Sequence, residues 1–128
     1  MMWVHMSRVF VCDDIPEYRA LVRTVLDAES DLEVVGEAGT GAECLAEAPG
    51  LEPDLVLLDL DMPGQHGLDT LPLLRAAAPH AAIAILSTDC EQASKCRAHK
   101  LGADAYICKP RDVFDLPSAV RESLAAAA

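Results

Sequence analysis

The chain has 128 residues, the length of one ordinary domain with a single buried core. Hydrophobic residues make up 52% of it and aromatic residues only 4%, which excludes a disordered chain and requires a core of aliphatic side chains and alanine. The formal net charge of −11 argues against a nucleic-acid-binding surface, because phosphate backbones require Lys and Arg. No apolar run approaches the ~18 residues of a membrane span and no signal peptide is evident, so we expect a cytoplasmic protein without membrane contact.

Five apolar runs alternate with five helical patterns. In chain order they predict a strand over 8–12 (RVFVC), a helix over 16–29, a strand over 32–38 (LEVVGEA), a helix over 41–48, a strand over 54–59 (DLVLLD), a helix over 67–78, a strand over 81–87 (AAIAILS), a helix over 91–102, a strand over 105–109 (AYICK) and a helix over 112–128.

Proline and glycine set the predicted helix ends. Pro16 suits a first helical turn, and the first helix places Tyr18, Leu21, Val22, Val25 and Leu26 at helical spacing. Pro49 and Gly50 are expected to stop the second helix, and Gly102 to close the fourth. Pro117 predicts that the last helix starts at Leu116 or later.

Strands that alternate with helices form βα units around a parallel sheet, and near-continuous apolar strands indicate that both faces of the sheet are covered. The prediction is one doubly wound α/β domain over residues 7–128, preceded by a disordered or added N-terminus over residues 1–6. Ligands of such folds bind beyond the carboxyl ends of the strands.

The cysteines give no metal motif. None of the five forms Cys-x-x-Cys, so a zinc site is not expected. We expect reduced thiols in a cytosolic protein, several of them simply core residues. They are Cys12, Cys44, Cys90, Cys96 and Cys108.

Polar residues collect where the predicted strands end. Carboxylates repel one another unless a cation joins them, and oxygen-only ligands favour Mg²⁺. A carboxylate beside that ion can attack phosphorus, while a lysine and a hydroxyl hold the phosphoryl oxygens. The set therefore indicates phosphoryl transfer to a carboxylate. Its members are Asp13 and Asp14, Asp59 and Asp61, Ser87 and Thr88, and Lys109 followed by Pro110.

With these residues identified, the chain resembles the receiver domain of two-component response regulators from about Ser7 onward. The resemblance rests on VFVCDD, PDLVLLDLDMPGQHGLD, AILST and GADAYICKP, in order and at family-like spacing. The stretch LEVVGEAGTGAECL is most similar to regulators with a C-terminal helix-turn-helix output domain. The resemblance implies a flavodoxin-like (βα)5 fold, a five-stranded parallel sheet in the order 2-1-3-4-5.

The resemblance also implies a role for each site residue. Asp59 matches the phosphoacceptor. The metal, Mg²⁺ or Mn²⁺, is expected on Asp14, Asp59 and the backbone carbonyl of Asp61, with Asp13 acting through water. The phosphoryl-binding and switch residues are Ser87, Thr88, Lys109 and Tyr106, and structural roles fall to Pro63, Gly67 and Pro110.

The implied partner is a sensor histidine kinase or a phosphotransfer protein. Phosphorylation would change the face made by the fourth helix, fifth strand and fifth helix, which is also the expected homodimer surface, and an output domain missing from this chain would control transcription. The domain itself is expected to bind neither nucleic acid nor membrane. It would not be an enzyme beyond its own phosphorylation and dephosphorylation.

A few positions depart from the common family pattern or have an open role. His66 stands where the family usually has Asp or Asn, and we interpret it as a loop residue facing solvent, with a partner or pH contact as the alternative. Asp61 and Asp89 border the path of the attacking water in the family and are expected to tune dephosphorylation. The Lys109–Pro110 bond is often cis in the family, which would aim Lys109 inward.

Two other functions stay open. The LLDLD stretch literally meets the Asp-x-Asp signature of haloacid-dehalogenase-like phosphatases, although in that family this strand comes first and the acidic pair late. A receiver-like module that has lost phosphorylation, or a stand-alone receiver, would act only through protein–protein interaction.

Overall fold

The computed structural model describes residues 5–61 and 67–128. Five parallel strands form one sheet in the order β2-β1-β3-β4-β5, as the resemblance implies. In chain order the elements are β1 (Ser7–Cys12), α1 (Pro16–Asp27), β2 (Leu32–Ala38), α2 (Gly41–Leu51), β3 (Leu55–Asp59), α3 (Gly67–Ala77), β4 (Ala82–Ser87), α4 (Gln92–Lys100), β5 (Ala105–Cys108) and α5 (Leu116–Ala127).

Helices cover both faces of the sheet, which explains why the central strands are apolar along their whole length. Every residue of β3 and of β4 is buried. On one face Phe10 and Leu58 pack with residues of α2, α3 and α4, including Leu71. On the other face Val9 and Leu57 pack with residues of α1 and α5. The sheet is therefore a rigid, dry support for whatever follows its strands.

The helix ends agree with the proline and glycine patterns, with one exception. α5 begins at Leu116, directly before Pro117, as predicted. Gly102 has φ +117° after α4, a conformation that favours glycine. The prediction that Pro49 stops α2 is wrong, because the helix continues through Pro49 to Leu51. A proline this close to the C-terminal end removes only one helical hydrogen bond, which the last turn tolerates.

Burial corrects one residue of the predicted α1 face. Val22, Val25 and Leu26 are buried as expected. Leu21 is 43% exposed, and Tyr18 is only half-buried near the carboxyl end of the sheet. The helical spacing is right, but the buried stripe is narrower than the pattern suggested.

Two of the five cysteines contradict the expectation of reduced thiols. Cys90, in the loop after β4, and Cys108, at the end of β5, form a disulfide with 5.6 Å between their Cα atoms. The pair could not be predicted from the spacing of the cysteines, because the two residues are 18 positions apart and meet only where β4 and β5 pair. Cys12 and Cys44 are outside this disulfide and buried in the core, and Cys96 is outside it and exposed.

Arg75 links the segments at the amino end of the sheet. Its guanidinium forms an ion pair with Asp104 at 2.9 Å and donates to the carbonyl oxygen of Gly102 at 3.3 Å. It also donates to the carbonyl oxygens of Ala78, Pro79 and Ala81. The end of α3 and the turn after α4 are thus fixed to one side chain.

Across 5–61 and 67–128, no helix combines the length and the apolar content that crossing a bilayer requires.

Candidate functional site

The first part of the site is the turn that follows β1. The N–H of Asp13 donates to the carbonyl oxygen of Ala38 at 3.0 Å, which extends the pairing of β1 with β2 by one residue. One carboxylate oxygen of Asp13 accepts the N–H of Ile15 at 2.9 Å. This local turn orients the other oxygen, Oδ2, into the interior, where Asp13 is 1% exposed.

Asp59 is placed in a similar way at the end of β3. It is the last residue of a fully buried strand and is itself 1% exposed. Its Oδ1 accepts the N–H of Asp61 at 2.9 Å. The same short turn therefore follows both strands, and in each turn one carboxylate oxygen takes no part in the hydrogen bond that closes the turn.

The carboxylates of Asp13, Asp14 and Asp59 converge, with one oxygen atom of each lying within 4.8 Å of the others. Oδ2 of Asp13 and Oδ2 of Asp59 are buried and accept no hydrogen bond from any residue within 5–61 and 67–128. Buried oxygens without donors are costly unless a cation binds them. An oxygen-only set of this kind suits a hard divalent ion, so the pocket can hold a metal.

Lys109 supplies the positive charge of the site. Its Nζ lies 3.5 Å from Oδ2 of Asp59 and 3.8 Å from Oδ2 of Asp13. The side chain is only 17% exposed, and the ammonium lies 4.9 Å from the centre of the Tyr18 ring. Three carboxylates against one ammonium leave the pocket short of positive charge, which again favours a bound cation.

The pKa of Asp59 is raised to about 6, mainly by burial and in smaller part by the nearby Asp13 carboxylate. The N–H of Asp61 and the Lys109 ammonium act in the opposite direction because they favour the ionised form. A cation in the pocket would also favour the ionised form, which is the form that can act as a nucleophile.

The predicted switch residues surround the loop after β4. Ser87 is fully buried, and its Oγ accepts the N–H of Asp89 at 3.0 Å. The hydroxyl of Tyr106 donates to the carbonyl oxygen of Asp89 at 2.5 Å. The backbone N–H of Lys109 donates to the carbonyl oxygen of Ser87 at 2.7 Å. The end of β4 and the loop after it are therefore hydrogen-bonded to Tyr106 and Lys109, one before and one after Cys108.

Two predicted residues lie on the rim instead of inside the cluster. Thr88 is exposed, and its hydroxyl lies 3.5 Å from the Asp61 carboxylate. The Asp89 carboxylate turns away from the pocket, because it accepts hydrogen bonds from the Ser94 hydroxyl and the N–H of Glu91. The first of these bonds lowers the pKa of Asp89. The effect of Asp89 on water access stays a prediction.

The structure describes only some of the remaining predicted residues. Pro63 and His66 lie outside the described residues, and Gly67 begins α3. The Lys109–Pro110 bond is trans, yet Lys109 still faces the carboxylates. An inward lysine therefore does not require the cis bond that is common in the family.

Sequence reasoning missed two residues of α1. The Tyr18 side chain contacts the Lys109 ammonium through its ring, although its spacing suggested only a core position. The guanidinium of Arg19 donates to the carbonyl oxygen of Asp13 at 2.6 Å and forms an ion pair with Glu37 at 3.3 Å. No local sequence signal marks either contact, since both depend on how α1 crosses the end of β1.

Comparison with known proteins identifies the family. Residues 9–121 match the family model described as the response regulator receiver domain. The chain belongs to this family. It is a receiver domain of the two-component response regulators, and this membership excludes the haloacid-dehalogenase-like interpretation.

Relatives and solved structures agree with this assignment. The receiver domain is 37% identical to the nitrate/nitrite response regulator protein NarL of Escherichia coli K12, covering 93% of this chain and 55% of that protein. It is 34% identical to the response regulator protein VraR of Staphylococcus aureus Mu3, covering 91% and 56%. The chain thus spans about half the length of the curated relatives it matches.

Among solved structures, a LuxR-family two-component response regulator from Aurantimonas sp. SI85-9A1 matches with a TM-score of 0.86 and 28% identity, covering 94% of this chain and 86% of that chain. The response regulator domain of Thermotoga maritima CheB matches with a TM-score of 0.83 and 27% identity, covering 96% and 97%.

Proposed function

We propose that this receiver domain accepts a phosphoryl group on Asp59 from the phosphohistidine of a sensor kinase or a phosphotransfer protein. The observation that supports this most directly is the buried Oδ2 of Asp59, which lies 3.5 Å from the Lys109 ammonium and accepts no hydrogen bond from the described residues. A nucleophilic oxygen beside a fixed cation is what transfer of an anionic group requires.

In the transfer step, Oδ2 of Asp59 attacks phosphorus and an acyl phosphate forms. The bond between phosphorus and the donor imidazole nitrogen breaks, and the imidazole leaves with the electron pair of that bond. Lys109 contacts the phosphoryl oxygens as they approach and offsets part of their charge. The N–H of Asp61 keeps the second carboxylate oxygen of Asp59 in place during attack.

Asp14, Asp59 and the backbone carbonyl of Asp61 would hold Mg²⁺ or Mn²⁺, with Asp13 acting through water. The ion would neutralise carboxylate and phosphoryl charge and orient the incoming group. The convergence of three carboxylates on one point supports this assignment.

The response to phosphorylation is a shift between two packed states. Ser87 would move its hydroxyl from the N–H of Asp89 to the phosphoryl group, and Tyr106 would follow the loop. The surface formed by α4, β5 and α5 would change in consequence, and a homodimer or a partner protein would recognise it. The domain acts as a switch and is not an enzyme beyond its own phosphorylation and dephosphorylation.

We propose that the complete protein works in the cytoplasm and controls transcription through an output domain. The resemblance of 32–45 to regulators with a helix-turn-helix domain and the greater length of the relatives support this. A stand-alone receiver that acts through protein contacts is the alternative, and the complete reading frame distinguishes the two.

The test is phosphorylation by acetyl phosphate in Mg²⁺, followed by intact mass. The wild type and Asp69→Asn, which changes an exposed aspartate of α3, should gain one acid-labile phosphoryl group, and Asp59→Asn should gain none. Equal phosphorylation of Asp59→Asn would exclude Asp59 as the acceptor. No phosphorylation of the wild type, together with no binding of beryllofluoride, would favour a module that has lost this chemistry.

A further inference from the structure

The Cys90–Cys108 disulfide joins the two segments that the switch must move relative to each other. Cys90 directly follows Asp89, whose carbonyl oxygen accepts the Tyr106 hydroxyl. Cys108 directly precedes Lys109 and is the register partner of Ser87 in the β4–β5 pair. The bond therefore crosses the sheet edge beside the switch hydroxyl and beside the phosphoryl-binding lysine.

The pair is accessible to small molecules. Cys90 is exposed and Cys108 is half-buried, whereas Cys12 and Cys44 are buried in the core. The 5.6 Å between the Cα atoms of the pair lies inside the range of about 4.4–6.8 Å that a disulfide requires. The separation of the two backbone segments thus permits a disulfide between these residues.

We propose that Cys90 and Cys108 form a reversible redox site that controls phosphorylation of the receiver. The reagents are small-molecule disulfides of the glutathione class as oxidant and the corresponding thiols as reductant. In a reducing compartment the pair is open, and oxidation closes it. This proposal rests on the proposed phosphoacceptor function.

The chemistry is thiol–disulfide exchange. The thiolate of Cys90, the more exposed of the two, attacks one sulfur of the small disulfide, forms a mixed disulfide and releases one thiolate. The thiolate of Cys108 then attacks the Cys90 sulfur and releases the second. Both cysteine sulfurs are oxidised by one electron each, both sulfurs of the reagent are reduced, and the two cysteine protons end on the released thiols.

Closing the bond opposes the switch for a mechanical reason. The loop over 88–91 must shift if the Ser87 hydroxyl is to exchange the N–H of Asp89 for a phosphoryl oxygen. The disulfide holds Cys90 against the end of β5 and adds a covalent link to the hydrogen bonds that already fix the loop there. The oxidised receiver therefore favours the unphosphorylated arrangement over the phosphorylated one.

The test compares the reduced and the glutathione-oxidised forms of this 128-residue chain. Alkylation of the unfolded protein should count five thiols in the reduced form and three in the oxidised form. Calorimetric titration with beryllofluoride and Mg²⁺ should give about tenfold weaker binding after oxidation. Cys90→Ser and Cys108→Ser should lose this redox dependence, while Cys96→Ser, the matched change at the exposed free cysteine, should keep it.

Each contrary result has its own meaning. Equal affinity of the reduced and oxidised wild type, an undiminished redox effect in Cys90→Ser, or five thiols after oxidation would overturn the redox proposal alone, because the reduced protein still binds the phosphoryl mimic. No binding by the reduced wild type would overturn the phosphoacceptor function and the redox proposal with it.

Discussion

Tyr18 is a positioning residue for Lys109. Its half-buried ring lies 4.9 Å from the ammonium, a distance at which a cation–π contact contributes about 0.5–2 kcal/mol. Because the ring lies against the ammonium, it limits the directions that the lysine can take. Burial raises the pKa of Tyr18, which keeps its hydroxyl neutral beside the acidic cluster.

The first prediction concerns this contact. Tyr18→Leu should weaken binding of beryllofluoride in saturating Mg²⁺ by about 3- to 30-fold, because Lys109 loses the ring that orients it. Tyr18→Phe keeps the ring and should bind within about twofold of the wild type. Calorimetry measures both, and equal losses in the two variants would show that the hydroxyl matters and the ring does not.

The second prediction follows from the pKa of Asp59. Its value in the folded protein, about 6, is above the ordinary 3.8, so the folded state binds the proton more tightly than the unfolded state does. The stability that this proton provides is complete below about pH 4 and is lost as the pH rises through about 6. Above that range Asp59 destabilises the metal-free protein by about 1–3 kcal/mol.

Asp59→Asn removes this cost. In urea unfolding without divalent metal, the variant should be more stable than the wild type by about 1–3 kcal/mol at pH 8 and nearly equal to it at pH 4. Asp69→Asn should show no comparable difference, because this residue is exposed. A stability difference for Asp59→Asn that is independent of pH would contradict the assigned pKa.

At the scale of elements, one glycine of α2 and one of β2 have opposite surroundings. Gly50 lies in the last turn of α2, and nothing is within 4 Å of a Cβ built on it. A Cβ on Gly36 in β2 would lie 2.7 Å from Leu51 and 2.8 Å from Phe10. The register of β1 and β2 shifts between Val9 and Phe10, next to Gly36. The close packing of α2 against these two strands therefore depends on the missing side chain of Gly36.

The third prediction uses this pair. Gly50→Ala should raise the free energy of unfolding by about 0.5–1 kcal/mol, since alanine favours the helix and meets no neighbour. Gly36→Ala should lower it by about 1–3 kcal/mol, since the added methyl group displaces core side chains. Chemical denaturation measures both changes, and stabilisation by Gly36→Ala would refute the packing argument.

The elements differ in how far the sequence predicts them. The five strands were predicted to within one residue at each end, because strands buried on both faces leave an uninterrupted apolar run. The end of α2 was not predicted. The free-energy cost of Pro49 in a helix depends on how far the residue lies from the helix end, and only the folded chain defines that end. The Cys90–Cys108 bond was missed for a related reason, since it depends on the register of β4 and β5.

The same limit applies to the site. Residues directly after strands, such as Asp13, Asp59 and Lys109, were found because parallel strands bring their carboxyl ends to one edge. Tyr18 and Arg19 were missed, because their contacts depend on the crossing of α1 over that edge. The sequence thus predicted the charged residues at the strand ends. The residues that orient these side chains become evident only when the packing of the helices is known.

For the molecule as a whole, the net charge of −11 and the acidic pocket link stability to divalent cations. The fourth prediction is that Mg²⁺ at ten times its dissociation constant raises the free energy of unfolding by about 1.4 kcal/mol. Asp14→Asn, which lacks one carboxylate of the cluster, should lose most of this gain. Sodium chloride at equal ionic strength controls for screening, and an undiminished gain in Asp14→Asn would place the ion elsewhere.

The attachment of α4 has a further consequence. The one buried residue of this helix is Ala98, near its C-terminal end, and Arg75 fixes the turn that follows through the carbonyl of Gly102. The opposite end follows the loop that carries Asp89 and Cys90, and none of residues 92–95 is buried. A helix secured at one end rotates about that end. With nine residues it is about 13 Å long, so a rotation of about 10° displaces Gln92 by about 2 Å and Lys100 hardly at all. A partner that distinguishes the two states of the domain should therefore contact the first turn of α4.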